Sequence, residues 1–412
     1  DGRVRSPAVR DALASVPRHL FLPDLTPADA YADEAVAIKV VDGVTISSVS
    51  QPSMVAIMLE QLAAEPGHRV LEIGAGAGWN AGLLARIVGP AGAVTTVDID
   101  DDLVRDTERN LAAAAVADVR AVTADGAAGH PPAAPYDRIE LTVGSTDIRP
   151  EWVAQLVPGG RLLLPLAVRG SQLSVAFELT GPGRLDSVSV RSCAFIRLRG
   201  TGADTDPAVT LGEGWAMQVA ESGGPDPALV SRALSGPGAQ ADPSPEPGSV
   251  TDVWDGLGLW CALADPAVFR LLAVEPAAET ETGRAMFGSG TTRVALGVAT
   301  GDGVALLMAE PRGGIRTFGG AGGVAAARLC ALVRGWTTAG RPEAADLRIS
   351  AEMTGPDPEA TSGPATVPDP ATFPGAATAA DPVTGGRTAA RVVVRTAHAK
   401  LVLQWPAPAP DG

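Results

Sequence analysis

Short apolar runs separated by segments of helical period fill the first half of the chain, and this alternation predicts strands and helices that take turns along one sheet. The runs RVLEI (69–73), AVTTVDI (93–99), VRAVTA (119–124), YDRIELTV (136–143), GRLLLPLA (160–167) and QLSVAFEL (172–179) are the expected strands. Ser6 followed by Pro7 marks a helix start, a capping hydroxyl ahead of a residue preset for the first turn, and AGLLARIVG (81–89) reads as another helix. Beyond FIRLRGTG (195–202) the pattern changes. The stretch 292–310 predicts a hairpin turning at Gly301, Asp302 and Gly303, and Leu329, Leu332, Val333 and Trp336 fall on one helical face. DLRISAEM (346–353) and the run 389–405 add partly alternating strands. Two Pro/Gly-rich stretches, 235–249 and 354–375, are nearly free of large apolar residues and read as loops. No internal repeat is present. The expected organisation is an α/β domain over 1–204 and an α+β domain over 205–412.

Composition narrows the function. At 412 residues with 46% hydrophobic content, the chain is long enough for two sizeable cores. A formal net charge of −15 argues against binding nucleic acid by neutralising phosphates. The three cysteines, Cys193, Cys261 and Cys330, lie far apart without a CxxC pair, so neither a zinc site nor a disulfide framework is suggested and a reducing cytoplasm is the expected setting. No apolar run of membrane-spanning length appears, and DGRVRSPAVR has no signal-peptide core, so a soluble protein without a membrane or metal partner is expected.

Candidate chemistry centres on LEIGAGAGWN (71–80). Gly74, Gly76 and Gly78 follow a strand and precede a helix, the arrangement in which backbone can approach a nucleotide-type ligand. The spacing departs from the GxGxxG dinucleotide fingerprint. Glu72 stands ahead of the turn, Asp98 ends the next strand, and Asp125-Gly126 follows the third. That ordered set suits S-adenosylmethionine: Asp98 for the ribose diol, Asp125 for the adenine amino group, and Glu72 for the methionine ammonium side, directly or through water. The Asn/Asp-Pro-Pro-aromatic motif of base methylation is missing from TVGST (142–146). His19, His68, His130 and His398 need no catalytic role.

Six ordered segments, VPRHLFLP (16–23), AYADEAVAI (30–38), SQPSMVAIMLEQL (50–62), RVLEIGAGAGWNAGLLA (69–85), 135–166 and FIRL (195–198), resemble protein-L-isoaspartate O-methyltransferases. The resemblance covers roughly the first 200 residues. It implies a Rossmann-like class I methyltransferase fold, S-adenosylmethionine as donor with S-adenosylhomocysteine as product, and a carboxyl group as methyl acceptor. The family's hydroxyl beside the substrate carboxylate maps onto Ser50, for which helix capping ahead of Pro52 is the other available role. The run TISSVSQP (45–52) leaves Ser47 and Ser48 competing for the same part. Trp79 and Asn80 stand where the family commonly has Tyr-Gln; with Ser145 they complete the candidate substrate side, core packing being open to Trp79 as well. The second half, in VWDGLGLWCALAD (253–265), AAARLCALVRGW (325–336) and AKLVLQWP (399–406), resembles two-part methyltransferases of ribosomal-peptide clusters of the FxLD, lanthipeptide and graspetide kinds. That second resemblance implies as partner a precursor peptide, already cyclised, whose Asp is esterified and then closes to an aspartimide. Isoaspartyl repair is the alternative.

Overall fold

The computed structural model describes residues 2–203, 208–219, 224–241, 249–288, 292–309, 314–354 and 391–405. Residues 355–375 of the loop expected at 354–375 and residues 242–248 of that expected at 235–249 lie outside the described residues.

The first half contains helices α1 (Pro7–Ser15), α2 (Pro27–Ala30), α3 (Pro52–Leu62), α4 (Trp79–Val88), α5 (Asp101–Ala113) and α6 (Pro150–Ala154). Its strands are β1 (Val36–Val41), β2 (Val44–Val49), β3 (Arg69–Ile73), β4 (Ala93–Asp98), β5 (Val119–Thr123), β6 (Tyr136–Leu141), β7 (Leu156–Val168), β8 (Ser171–Gly181) and β9 (Arg184–Ser192). Ser6 caps α1 by accepting from the Val9 N–H, and Pro7 opens the helix. Strands β5, β4, β3, β6 and β7 lie side by side and parallel, and β3 pairs with β4 on one edge and β6 on the other. The strand order therefore reverses beside β3, where a parallel sheet opens a crevice at the carboxyl ends of its strands. All six strands read from apolar runs are present. β9 lacks such a run because Asp186, Ser187, Ser189 and Arg191 alternate with its apolar residues.

The second half holds strands β10 (Ala208–Gly212), β11 (Trp215–Gln218), β12 (Ala239–Gln240), β13 (Val268–Ala273), β14 (Arg293–Thr300), β15 (Gly303–Leu307), β16 (Ile315–Phe318), β17 (Arg348–Met353), β18 (Arg391–Arg395) and β19 (Ala399–Gln404). Its helices are α7 (Pro227–Leu234), α8 (Val250–Trp254), α9 (Gly256–Ala264), α10 (Glu281–Ala285) and α11 (Gly322–Thr338). Strands β10 to β16 form an antiparallel sheet of seven, covered by α11. The last three strands do not join it. They extend the first sheet to ten strands in the order β18-β19-β17-β9-β8-β7-β6-β3-β4-β5.

This pairing divides 205–412 between two sheets, so the sheet framework does not follow the 204/205 boundary. β17 lies antiparallel to β9, with Ala351 opposite Leu185, and the Ser350 hydroxyl donates to Asp186 at 2.6 Å. One core cluster joins Leu166, Leu173 and Leu185 of the first half to Trp260, Leu329, Ile349 and Leu401 of the second. Arg270, 2% exposed in β13, donates to the Gly170 carbonyl at 2.9 Å and to Ser171 Oγ at 2.8 Å in the turn between β7 and β8. The tip joining β18 to β19 grips the loop after β6, where His398 and Thr396 both bond the Asp147 carboxylate.

Candidate active site

A cavity of about 550 Å³ opens at the strand reversal, within the range of about 300–1,000 Å³ usual for small-molecule and cofactor sites. Its floor is the turn after β3. Gly74 has φ +107°, and a Cβ there would sit 2.5 Å from Thr142 Oγ1; Gly78 has φ +90°, and its Cβ would meet Thr107 at 2.8 Å. Side chains therefore cannot replace hydrogen at either position without displacing β6 or α5. Thr142 Oγ1 donates to the Gly74 carbonyl at 2.6 Å and Asn110 to the Ala77 carbonyl at 3.0 Å, which fixes the turn from both sides. Gly78 is the N-cap of α4 and does not line the cavity; its contribution is the turn.

Asp98 ends β4 and is 9% exposed. Its Oδ2 accepts from the Gly76 N–H at 3.1 Å and its Oδ1 from the Asp100 N–H at 3.2 Å, while burial pushes its pKa up. The carboxylate stands in the cavity wall with lone pairs to spare, as a ribose diol requires. Gly126 lines the cavity but Asp125 does not. Asp125 caps the turn after it through the Ala127 N–H at 2.9 Å, and its other oxygen holds Thr201 through N–H and hydroxyl at 2.8 and 2.7 Å. These bonds tie the exit of the first half to the site, and the adenine contact expected of Asp125 has to share its oxygens with them.

Glu72 is fully buried beside a second carboxylate that no sequence motif marks. Parallel register sets Thr96, Glu72 and Glu140 in one row across β4, β3 and β6. All three are 0% exposed. Asn80, in the first turn of α4, donates from Nδ2 to Glu72 at 2.8 Å and to Glu140 at 3.0 Å, and the Thr96 hydroxyl donates to Glu72 at 2.5 Å. Burial lifts both carboxyls, Glu72 to about 8 and Glu140 to about 7. Asn80 therefore bridges two acids on the cofactor side of the cavity. In the sequence Glu140 stands out only as an acid inside the apolar strand YDRIELTV.

Another part of the lining, where the acceptor is expected, is the hairpin β1–β2 with the segment leading into α3. Ser47, Ser48 and Ser50 all line the cavity, as do Gln51, Met54 and Phe195. Gln51, not Ser50, is the N-cap of α3, so the capping role open to Ser50 is not used. Arg18 holds this segment in place. It is 0% exposed and donates to the carbonyls of Ala30 at 2.7 Å, Ser50 at 2.8 Å and Glu34 at 3.3 Å, and burial lowers its pKa to about 10. Its guanidinium lies 4.5 Å from the Trp79 ring centroid, and the Trp79 indole N–H donates to the Val16 carbonyl at 3.3 Å. Trp79 reaches the cavity wall but is chiefly a core residue. Ser145 is 4% exposed, exchanges hydrogen bonds with the Asp147 backbone and does not line the cavity.

Lys39 of β1 pairs with Asp102 at 2.7 Å and Asp100 at 3.0 Å, and Arg199, which lines the cavity, pairs with Asp100 at 2.7 Å. This ionic clasp joins the hairpin, the end of β4 and the exit of the first half. Among the described residues, no group of three or more His, Cys, Asp or Glu is arranged to hold a metal ion, and no helix is long and apolar enough to cross a membrane.

The family model described as protein-L-isoaspartate(D-aspartate) O-methyltransferase matches residues 1–202. The protein-L-isoaspartate O-methyltransferase of Methanopyrus kandleri is 39% identical over 207 residues, which cover 50% of this chain and 89% of that protein. The protein of the same name from Hyperthermus butylicus is 38% identical over 208 residues, covering 48% and 84%. A solved structure named protein-L-isoaspartate O-methyltransferase aligns over 84% of this chain and 92% of its own, at 22% identity and a TM-score of 0.47. The parallel order β5-β4-β3-β6-β7, reversing beside β3 with helices between the strands, is the Rossmann-like α/β arrangement expected of a class I S-adenosylmethionine-dependent methyltransferase.

Proposed function

The chain belongs to the protein-L-isoaspartate O-methyltransferase family, and we propose that within it the acceptor is an aspartyl side chain of a ribosomally synthesised, already cyclised precursor peptide. It is an S-adenosylmethionine-dependent carboxyl O-methyltransferase acting on protein or peptide. When bound, the cofactor supplies an electrophilic methyl group on a sulfonium. Asp98 and the glycine turn hold its nucleoside. The acceptor carboxylate, with an ordinary aspartyl pKa of about 3.9, is already ionised at neutral pH, so no general base is required. What the protein supplies is position: the Ser50 hydroxyl orients the acceptor oxygen toward the methyl and takes the place of its hydrating water, while Arg18 fixes the Ser50 backbone. The resulting methyl ester is open to attack by the following backbone nitrogen, which closes an aspartimide and releases methanol.

The observation that carries the precursor-peptide reading is the C-terminal half built into the catalytic sheet, with its β18–β19 tip gripping the loop after β6. A recognition element fixed there can present one peptide rather than many. The names of the relatives favour a second reading, repair of isoaspartyl residues. Methyl transfer to a cyclised precursor and to a short isoaspartyl peptide, compared side by side, separates the two; preference for the isoaspartyl peptide would sink the first.

Ser50→Ala is expected to lower kcat about tenfold with cofactor affinity nearly unchanged, the loss of one hydrogen bond to a charged group. If Ser47→Ala or Ser48→Ala abolishes turnover and Ser50→Ala does not, the acceptor hydroxyl belongs to β2 instead.

A further inference from the structure

The second buried carboxylate has no part in methyl transfer, and its surroundings leave it incomplete. Glu140 Oε2 accepts from Asn80, but its Oε1 is buried with no hydrogen-bond partner among the described residues. Glu140 lines the same cavity as Glu72, Gly74 and Gly76. A buried carboxylate oxygen without a donor is costly unless it is protonated or a cation arrives. The neighbouring donors, Asn80 and Thr96, are neutral. The charged or titratable groups of the other lining elements are Asp98 at the end of β4, Cys193, and Arg197 and Arg199, the last 3.9 Å from Asp98. Arg199 is paired with Asp100 at 2.7 Å rather than with Glu140 or Glu72.

We propose that Glu140 is a second cofactor-binding carboxylate, forming with Glu72 the subsite for the ammonium group of S-adenosylmethionine, and that the pair gives up a proton when that cation enters. This inference rests on the cofactor assignment. With the subsite empty, two adjacent carboxylates in a dry wall cannot both be charged, so the pair retains a proton. The ammonium then supplies the donors that Glu140 Oε1 lacks and the positive charge that both acids require. The released proton passes to solvent, and no covalent bond to carbon or sulfur changes. Affinity therefore rises with pH while the empty pair is still protonated, and falls on the acid side by up to about tenfold per pH unit. The subsite selects a ligand with a free amino-acid ammonium over the same nucleoside without one.

The test is titration calorimetry of the full chain with S-adenosylhomocysteine in buffers of different ionisation enthalpy, between about pH 6 and 7, where an α-amino group is already charged. Wild type is expected to release close to one proton per ligand. 5′-Methylthioadenosine, which keeps the ribose for Asp98 but has no ammonium, is expected to bind without that release. Glu140→Gln, which preserves shape, is expected to bind S-adenosylhomocysteine about tenfold more weakly and to release fewer protons than wild type, Glu72 alone remaining to titrate. Wild-type binding without proton release, equal release with 5′-methylthioadenosine, or Glu140→Gln indistinguishable from wild type would each overturn the proposal. Failure of wild type to bind S-adenosylhomocysteine at any pH would instead remove the cofactor assignment beneath it.

Discussion

Replacing Asp98 by alanine is expected to weaken S-adenosylhomocysteine binding about tenfold to a hundredfold, the equivalent of about 1.5–3 kcal/mol for a charge-assisted hydrogen bond. The carboxylate has two duties that fail together. It is a hydrogen-bond acceptor in the cavity wall at the end of β4, and it holds the Gly76 N–H, so its loss also loosens the glycine turn that lines the same cavity. Asp98→Asn separates the two: it retains an oxygen for Gly76 but gives up the charge, and is expected to fall between wild type and alanine. Calorimetry showing unchanged affinity for Asp98→Ala would remove this residue from the site.

Truncation after residue 203 is expected to leave a chain that does not fold cooperatively, although every residue of the family match lies in the fragment. Removing the second half uncovers the β9 edge and takes away core neighbours of Val168, Leu173, Val175 and Leu185, all buried in the shared cluster. At about 1.5–3 kcal/mol for fully exposing each large aliphatic side chain, the four set an upper bound of about 6–12 kcal/mol. That is the size of an entire domain's stability, about 5–15 kcal/mol. The exposed β9 edge, with its ladder groups unpaired, would also favour aggregation. Size-exclusion chromatography and thermal unfolding of the 1–203 fragment check this. A monomer with a sharp transition and methyltransferase activity would show that the two halves are separable after all.

The cofactor side is legible in the sequence because its signals are local. Glu72, the three glycines and Asp98 sit at fixed places after strands whose apolar runs mark them plainly, and the structure gathers all but Gly78 into the cavity lining. What stays hidden depends on pairing between distant segments. Glu140 faces Glu72 only through the register of β3 and β6, although the two are far apart in the chain, and β17 joins β9 with no trace in the composition of either strand. Asp125 and Ser145 lie outside the cavity lining, their oxygens engaged by backbone of neighbouring segments. Arg18 lies in PRHLF, where the neighbouring histidine is the more conspicuous candidate, although its burial under three carbonyls is what fixes the acceptor loop.

The ion pairs of Lys39 make the chain unusually simple to label. Lys39 and Lys400 are its only lysines, and they differ in what restrains them. Hydrogen bonds to Asp102 and Asp100 raise the Lys39 pKa and hold its amine in the protonated, unreactive form. Lys400 has a looser partner, Glu352 at 3.5 Å on the neighbouring strand, far in sequence from the hairpin. An amine-reactive reagent thus finds a side-chain target at Lys39 that depends on release from two aspartates and a built-in reference at Lys400. The ratio of the two adducts, read by mass spectrometry, becomes a clock for how often Lys39 leaves its partners.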